Sequence, residues 1–369
     1  MVSFELSDEQ KMVQETVASF ATDQIEPVMR ESDEENTVPE AVIAKGWELG
    51  LLGGCIPEEY EGFGEELSSL TGLIALEELS WGDLSIGLHL MVPSVMAISV
   101  LDQGTEEQKK QLLPDFCEEQ YKASTSALIE PYYNFCASAL RATAERDGDE
   151  YVLNGKKCLV PLAQESESLL VFAATSPGMG FSGVDGFIVP AGSKGMDVGE
   201  REKNMGINAL ATYPVTLKDC RLPASARLGG DAGCDFLRLL SRSRLALAAM
   251  AVGMSRRALE HSVEYATQRV AFGEPIASRQ AIAFMLAEMA IEVDATRLLA
   301  WEAGWRCDKN MDFEKEAALA KNYAADMAMM VCDRGVQIMG GHGYVRDNPV
   351  ELWFRNSRGF ATFEGLVMV

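Results

Sequence analysis

The chain of 369 residues is poor in the residues that build metal centres and disulfide frameworks. It has only three histidines, His89, His261 and His342, and none has the spacing of a metal-ligand pair. Its eight cysteines are scattered and no two form a CxxC pair, so we expect reduced thiols and a cytoplasmic setting. We therefore expect no metal site.

Basic charge and long apolar runs are also scarce. Lysine and arginine number 32 against 56 acidic residues, which gives a formal net charge of -24. This acidic excess argues against nucleic acid or an anionic membrane as a partner, although a few local cations could still hold a small anion. No apolar run reaches the ~18–20 residues that span a bilayer, and Met1–Glu9 lacks the basic and apolar regions of a signal peptide. We expect no membrane association.

Hydrophobic periodicity divides the chain into a helical, a strand-rich and a second helical block. We predict an α+β fold with an N-terminal α-helical domain (1–121), a middle β domain resembling a barrel (122–232) and a C-terminal α-helical bundle domain of four helices (233–369). Ser7 and Gln10 form a capping-box pattern, and Thr105 with Gln108 forms a second one. In the middle block, Asn154-Gly155 has the composition of a β-hairpin turn.

The most informative segment lies near the end of the chain. A long helical pattern ends in the glycine-rich run Gln337–Tyr344, and Phe363-Glu364-Gly365 follows about twenty residues later. Bare glycine amides can approach a phosphate or sugar closely, but the same glycines are equally typical of a helix C-cap and turn. Both interpretations remain open from these residues alone.

Several motifs resemble those of the acyl-CoA dehydrogenase family, along essentially the whole chain. Arg269–Gly273 resembles R-x-x-F-G, Gln337–Tyr344 resembles Q-x-x-G-G-x-G-Y, and Phe363–Gly365 stands where Y-E-G is usual. In the N-terminal block Pro57–Gly64 resembles P-E-x-Y-G-G-x-G, and Met205–Ile207 matches the end of the family's β domain. The order and spacing of these independent motifs make the resemblance specific.

The resemblance implies a homotetramer of three-domain subunits that bind FAD and an acyl-CoA thioester. It implies that Glu364 is the catalytic base, which removes a proton from Cα while hydride leaves Cβ for the flavin. Such a base must be desolvated, and the thioester oxygen needs donors, which the resemblance identifies as Glu364 N–H and a flavin ribityl hydroxyl. Some family members carry the base on the first long C-terminal helix, where this chain has Ser243.

The same resemblance assigns the other site residues. Arg269 matches a pyrophosphate ligand, and Gln337 and Gly341 match contacts to the ADP half across a subunit interface. The remaining cofactor positions are Phe272, Gly340, Ile129, Pro131 and Leu159, and the substrate positions are Phe135, Ser241, Arg244, Phe363 and Gly365. Competing interpretations are a solvated helix end for Arg269 and a structural ion pair for Arg244.

The chain departs from the family pattern on the flavin side. Ile129 replaces a hydroxyl residue, Asn134-Phe135 replaces Gly-Ser, and Leu159 replaces the flavin-stacking tryptophan. Pro161 also removes an amide donor from its strand. Aromatic residues of the 132–135 segment could instead stack on the flavin or pack into the β-domain core.

These observations lead to two hypotheses of function. The first is an FAD-dependent acyl-CoA or acyl-carrier thioester dehydrogenase, with an electron-transferring flavoprotein as partner. The second is a family member without a flavin redox role, either a non-catalytic partner subunit or a proton-transfer enzyme such as an isomerase. A homotetramer or a hetero-oligomer with a paralogue is expected.

Overall fold

The computed structural model describes residues 5–64 and 67–369 and confirms the three-block α+β architecture. The N-terminal block is helical. After α1, irregular helical turns over residues 21–28 lead into α2. Its helices are α1 (Asp8–Phe20), α2 (Met29–Glu35), α3 (Glu40–Glu48), α4 (Ser69–Gly82), α5 (Leu84–Met91), α6 (Ser94–Gln103) and α7 (Glu106–Leu112).

The predicted capping boxes start α1 and α7. In each, the hydroxyl of the first residue accepts the amide of the glutamine three residues later, and that glutamine side chain accepts the amide of the first residue. The start of α4 is capped differently. Asp308 accepts the backbone amides of Ser69 and Leu70 at 2.6 and 3.2 Å, so a residue distant in sequence caps this helix.

The middle block is one curled, seven-stranded sheet in the order β1-β4-β2-β3-β7-β6, with β5 paired to β4. β1 pairs with β4 in parallel, and β2 touches β4 in parallel at one position, whereas the other pairs are antiparallel. The strands are β1 (Ser124–Ala127), β2 (Thr143–Asp147), β3 (Glu150–Pro161), β4 (Ser168–Ala174), β5 (Val184–Pro190), β6 (Met196–Val198) and β7 (Thr212–Pro223).

The hairpin predicted at Asn154-Gly155 is wrong. β3 runs straight through these residues, and the turn lies earlier, at Gly148-Asp149 between β2 and β3. Gly155 instead occupies an irregular step in the β3–β7 pairing, with φ at +155°. A Cβ there would stand 2.4 Å from the Ala142 Cβ, so this glycine permits a close crossing of two segments rather than a turn.

The C-terminal block contains three long helices packed on one another, with a fourth, shorter helix against the last of them. A two-stranded ribbon follows the first. The elements are α8 (Phe236–Gln268), β8 (Val270–Ala271), β9 (Glu274–Pro275), α9 (Gln280–Asp308), α10 (Glu314–Met339), α11 (Gly341–Tyr344) and α12 (Val350–Ser357). α4 also packs on α8, which joins the N-terminal and C-terminal blocks in one core.

In the described residues, no single helix combines the length and the apolar composition required to cross a membrane. α5 and α6 meet that test only when taken together, and the chain bends by 43° between them. Their side chains are almost all buried inside the protein.

Candidate active site

Glu364 lies after α12, where a short helical turn over Arg358–Ala361 redirects the chain into the protein. The amides of Thr362 and Phe363 both donate to the Gly359 carbonyl, which ties down the backbone just before Glu364. The Glu364 side chain is 13% exposed. It is therefore shielded from bulk water without being fully enclosed.

Two cations from different helices contact the Glu364 carboxylate. Arg244 of α8 donates from Nε to both oxygens, at 3.3 and 3.2 Å, and from Nη2 to Oε1 at 3.1 Å. Lys321 of α10 places its Nζ 3.5 Å from Oε1. Oε1 thus meets three donor groups and Oε2 only one, so Oε2 has the greater free acceptor capacity.

The amide of Glu364 has no acceptor within residues 5–64 and 67–369, while the amides on either side of it are engaged. Phe363 N–H donates to Gly359, and Gly365 N–H donates to Ser243 Oγ at 3.1 Å. Among the residues that the structure describes, none accepts Glu364 N–H. A free donor beside a shielded carboxylate is the pair of groups needed to polarise a carbonyl and remove a neighbouring proton.

Three predicted flavin-side residues lie in and beside the sheet. Ile129 is buried and its carbonyl accepts the Cys158 amide, while Pro131 is exposed. Leu159 is half-buried with φ at +52°, a conformation that is uncommon for a branched side chain. Its N–H donates to Glu202 Oε2 at 2.9 Å, so that amide is already engaged.

Phe135 belongs to the loop between β1 and β2 and packs, half-buried, against the core. The next residue, Cys136, is exposed, and hydrogen bonds from Ser138 lower the pKa of its thiol. The Arg244 guanidinium lowers this pKa further and the Glu364 carboxylate opposes the change. Both members of the Arg244–Glu364 ion pair therefore influence the Cys136 thiol.

The other predicted substrate residues differ in burial and in the contacts that they make. Phe363 is buried, and its ring meets the Phe360 ring edge-on at 5.8 Å. Gly365 adopts φ of +71°, where glycine is favoured. Ser241 is fully buried, and its hydroxyl donates to the Leu237 carbonyl within α8.

The predicted ADP-side residues form a second, separate cluster on the surface. Arg269, Phe272, Gln337, Gly340 and Gly341 are all exposed at the ends of α8 and α10. Phe272, at φ of +56°, lines an open cavity of about 600 Å³. Its other lining residues are Ala271, Ile276, Arg279, Ile282 and Ile338.

Within one chain, this surface cluster lies far from Glu364. Lys321 touches Glu364, and Gln337 lies sixteen residues further along α10, which is ~24 Å at the helical rise. Arg244 and Arg269 are separated in the same way by ~37 Å along α8. The structure therefore does not bring the ADP-side residues and the base together at one point of a single subunit.

Sequence reasoning missed two cations. Lys321 is buried at the base, and the signal for it was present, because this lysine interrupts an otherwise apolar face formed by Ala317, Ala324 and Ala328. Arg279 lines the cavity, with its guanidinium 5.8 Å from the Phe272 ring centre. Its placement depends on the β8–β9 ribbon, which no short motif indicates.

The surface cluster fits the ADP half of a dinucleotide cofactor. No atom lies within 4 Å of where a Cβ would stand on Gly340 or Gly341, so these residues leave an open cradle. Arg269 supplies positive charge for a pyrophosphate, and Arg279, which pairs with Glu274 at 2.9 Å, lies beside it. On the flavin side the Leu159 amide is taken and Pro161 has none, so apolar and aromatic contacts would have to hold the ring.

Comparison with known proteins identifies the family. The models for the N-terminal, middle and C-terminal domains of acyl-CoA dehydrogenases match residues 7–120, 128–220 and 235–366. The chain belongs to the acyl-CoA dehydrogenase family. Homologues in this family are FAD-binding oxidoreductases that act on CH–CH bonds.

Individual relatives align over almost their whole length. The mitochondrial short-chain specific acyl-CoA dehydrogenase of Bos taurus is 36% identical over 367 residues, which cover 98% of this chain and 88% of that protein. Butyryl-CoA dehydrogenase from Megasphaera elsdenii is 31% identical, with a TM-score of 0.90 and coverage of 99% and 96%. A chain from a study of the electron transferring flavoprotein of Acidaminococcus fermentans is 34% identical, with a TM-score of 0.89 and coverage of 99% and 96%.

Proposed function

We infer that this protein desaturates an acyl thioester between Cα and Cβ, with Glu364 as the proton acceptor. One observation carries the inference: a shielded carboxylate and a free backbone N–H belong to the same residue. A thioester carbonyl that accepts Glu364 N–H would place its Cα close to the Glu364 side chain. Family membership supports the reaction class.

Different groups of the chain have separate roles in proton removal. Glu364 Oε2, the less occupied oxygen, takes the proton from Cα. Glu364 N–H stabilises the negative charge that develops on the thioester oxygen. Arg244 and Lys321 hold Oε1, which fixes the carboxylate in one orientation during the transfer.

The cofactor in this proposal is FAD, and bound FAD would supply the acceptor for the hydride that leaves Cβ. Arg269, Gln337, Gly340 and Gly341 would hold its ADP half. Ile129, Leu159 and Phe135 would exclude water from the side where the ring lies. The partial loss of polar contacts on that side predicts weaker flavin retention than the family pattern would give.

Replacement of the base tests the proposal. Glu364→Gln keeps the shape and removes the proton acceptor, so we expect turnover of a butyryl-, octanoyl- and palmitoyl-CoA panel to fall by at least ~10²-fold. The melting temperature and the oligomeric state should stay close to wild type. Glu145→Gln, at an exposed glutamate on β2, is the control. Unchanged turnover in Glu364→Gln would refute the assignment.

The complete site would need more than one copy of the chain. The ADP-side cluster lies ~24–37 Å along its helices from the base, so a second subunit would supply it to each cofactor. An apolar stripe on α9 supports this arrangement, because Phe284, Ile291 and Leu298 are exposed at seven-residue intervals. A homotetramer is our preferred state, with a hetero-oligomer as the other outcome of a mass measurement.

The finer details of partner and location are also proposals. An acyl-CoA is the preferred substrate and an acyl-carrier thioester the other candidate. An electron-transferring flavoprotein is proposed as electron acceptor, and its reduction by protein and substrate together tests this.

The eight free cysteines suit a reducing compartment, so we propose the cytoplasm, which cell fractionation would test.

A second candidate function is proton transfer without flavin chemistry. The engaged Leu159 amide and the proline at position 161 favour it, because both remove polar contacts from the flavin side. Three measurements separate the two candidates: native mass spectrometry for bound FAD, flavin absorbance after addition of acyl-CoA, and product analysis with an enoyl-CoA. Bound FAD that is bleached by an acyl-CoA supports desaturation, whereas protein that FAD cannot reconstitute, yet shifts a double bond in an enoyl-CoA, supports the second candidate.

A further inference from the structure

Serines from two different domains hold the backbone directly after Glu364. Gly365 N–H donates to Ser243 Oγ of α8 at 3.1 Å, and Ser126 Oγ of β1 donates to the Gly365 carbonyl. Both serines are buried, at 1% and 3% exposure. The two peptide groups that flank the Gly365 Cα are therefore each fixed by one hydroxyl.

This arrangement specifies the backbone conformation at Gly365. Its φ of +71° lies in the left-handed region, and a Cβ there would stand 3.0 Å from Leu128 Cδ2. The bond to Ser243 orients the peptide plane shared by Glu364 and Gly365. That plane sets the direction in which the Glu364 side chain leaves the backbone.

The geometry points to Ser126 and Ser243 as positioning residues for Glu364, a role that rests on the proposed function. Proton removal from carbon tolerates little misplacement of the base. The Ser243 hydroxyl of α8 accepts the amide directly after Glu364 and so orients a base supplied by a different segment. Ser126 adds the β domain to the same support, so both domains align Glu364.

The test removes each hydroxyl in turn and measures proton transfer separately from desaturation. The holoprotein is incubated in D₂O with butyryl-, octanoyl- and palmitoyl-CoA, and mass spectrometry measures deuterium uptake at Cα. In Ser243→Ala we expect exchange and kcat to fall together by about 10- to 100-fold, with KM, bound FAD and melting temperature little changed. Ser243→Thr retains the hydroxyl and should recover most of the exchange.

Ser255→Ala is the matched control. Ser255 is fully buried on the same helix, ~18 Å along the axis from Ser243, and its Oγ has no partner among the described residues. Its loss should leave exchange and kcat unchanged. A purely structural role for Ser243 would lower the melting temperature and leave the exchange rate of the folded fraction intact.

The outcomes separate this inference from the function on which it rests. If wild type exchanges but Ser243→Ala and Ser126→Ala exchange equally fast, the positioning role is overturned and the function stands. If wild type neither exchanges nor oxidises any thioester of the panel, both are overturned. Should Ser243→Ala fail to fold, Ser126→Ala decides the question alone, because it leaves α8 intact.

Discussion

The neighbours of Glu364 each restrict a different freedom of its carboxylate. Shielding limits its contact with water, Arg244 bonds both oxygens while Lys321 adds a contact to Oε1, and Ser243 orients the backbone that carries it. These restrictions reduce the rearrangement required before a proton moves. A flexible surface glutamate, by comparison, would have to lose this freedom in every turnover.

Asp83, a buried carboxylate with no cation paired to it in the described part of the chain, illustrates the cost of burial. It caps α5, accepting the Ile86 amide at 2.9 Å, and burial raises its pKa from 3.8 to about 7. The folded state therefore holds the proton more tightly than the unfolded state. The stability that this proton contributes is present below pH ~4 and is lost as the pH rises through about 7.

We predict that Asp83→Asn removes this pH dependence while keeping the helix cap. The variant should gain stability relative to wild type as the pH rises from 4 to 7, and the gain should level off above pH 7 at no more than ~4 kcal/mol. Urea unfolding of both proteins at several pH values measures the difference. Exposed Asp326→Asn is the control, and a constant difference between Asp83→Asn and wild type would contradict the prediction.

Among the secondary-structure elements, β3 carries a lysine whose charged group is buried in an ion pair. Lys157 of β3 donates from Nζ to the Leu128 carbonyl at 3.0 Å and to Glu130 at 3.1 Å, and the two side chains are 0% and 2% exposed. Glu130 also accepts the amides of Arg141 and Ala142. This pair fixes the segment of Ile129 against β3.

We predict that Lys157→Met lowers the free energy of unfolding by about 3–5 kcal/mol, because it leaves a buried carboxylate without its cation. Exposed Lys156→Met, one residue earlier on the same strand, should change it by less than ~0.5 kcal/mol. Urea unfolding at neutral pH measures both. Equal stability of the two variants would show that the buried pair contributes nothing.

Adding Glu130→Gln provides a second check on the pair. In the double variant no buried charge remains unpaired, so its stability should exceed that of Lys157→Met alone. A double variant that is less stable than either single variant would argue against charge as the cause.

In the whole molecule, the exposed stripe on α9 is an apolar face that a single chain leaves uncovered. Ile291 and Leu298 are 64% and 44% exposed. We predict that Ile291→Glu with Leu298→Glu converts the proposed oligomer to monomers, because at least four like charges would meet at each shared face. Light scattering after gel filtration gives the mass, and flavin absorbance gives the retained FAD.

Met179→Glu is the control for the oligomer experiment. Met179 is similarly exposed, at 65%, but lies on the β domain. It should leave mass and flavin content unchanged. A double variant on α9 that keeps the native mass would exclude this stripe as the interface.

Local patterns in the sequence predicted most of the fold. The capping boxes at Ser7 and Thr105 were visible as residue pairs, because a cap is a contact over three residues. The long C-terminal helices were visible from apolar periodicity. The hairpin prediction at Asn154-Gly155 was wrong because this dipeptide is compatible both with a turn and with a close crossing of two segments. Only the position of Ala142 decides between the two.

The candidate site was only partly predictable. Glu364 and the glycines at 340 and 341 follow a motif, so the resemblance placed them by alignment. Lys321 and Ser126 belong to no motif near Glu364. Lys321 contacts Glu364 from 43 residues away, and Ser126 contacts Gly365 from 239 residues away. Such contacts depend on how α10 and the sheet pack, which no local window contains.

By itself, the amino-acid order determined the helical and strand-rich blocks, the glycine-rich turn and the identity of the acidic residue proposed as the base. The blocks and the turn depend on backbone preferences and on spacing along the chain, whereas the acid was identified by its resemblance to a family motif. The packing of α8, α10 and β1 decided which cations contact that acid and which hydroxyls hold the backbone after it. It also separated the surface cluster from the base, because a rigid helix keeps its two ends apart.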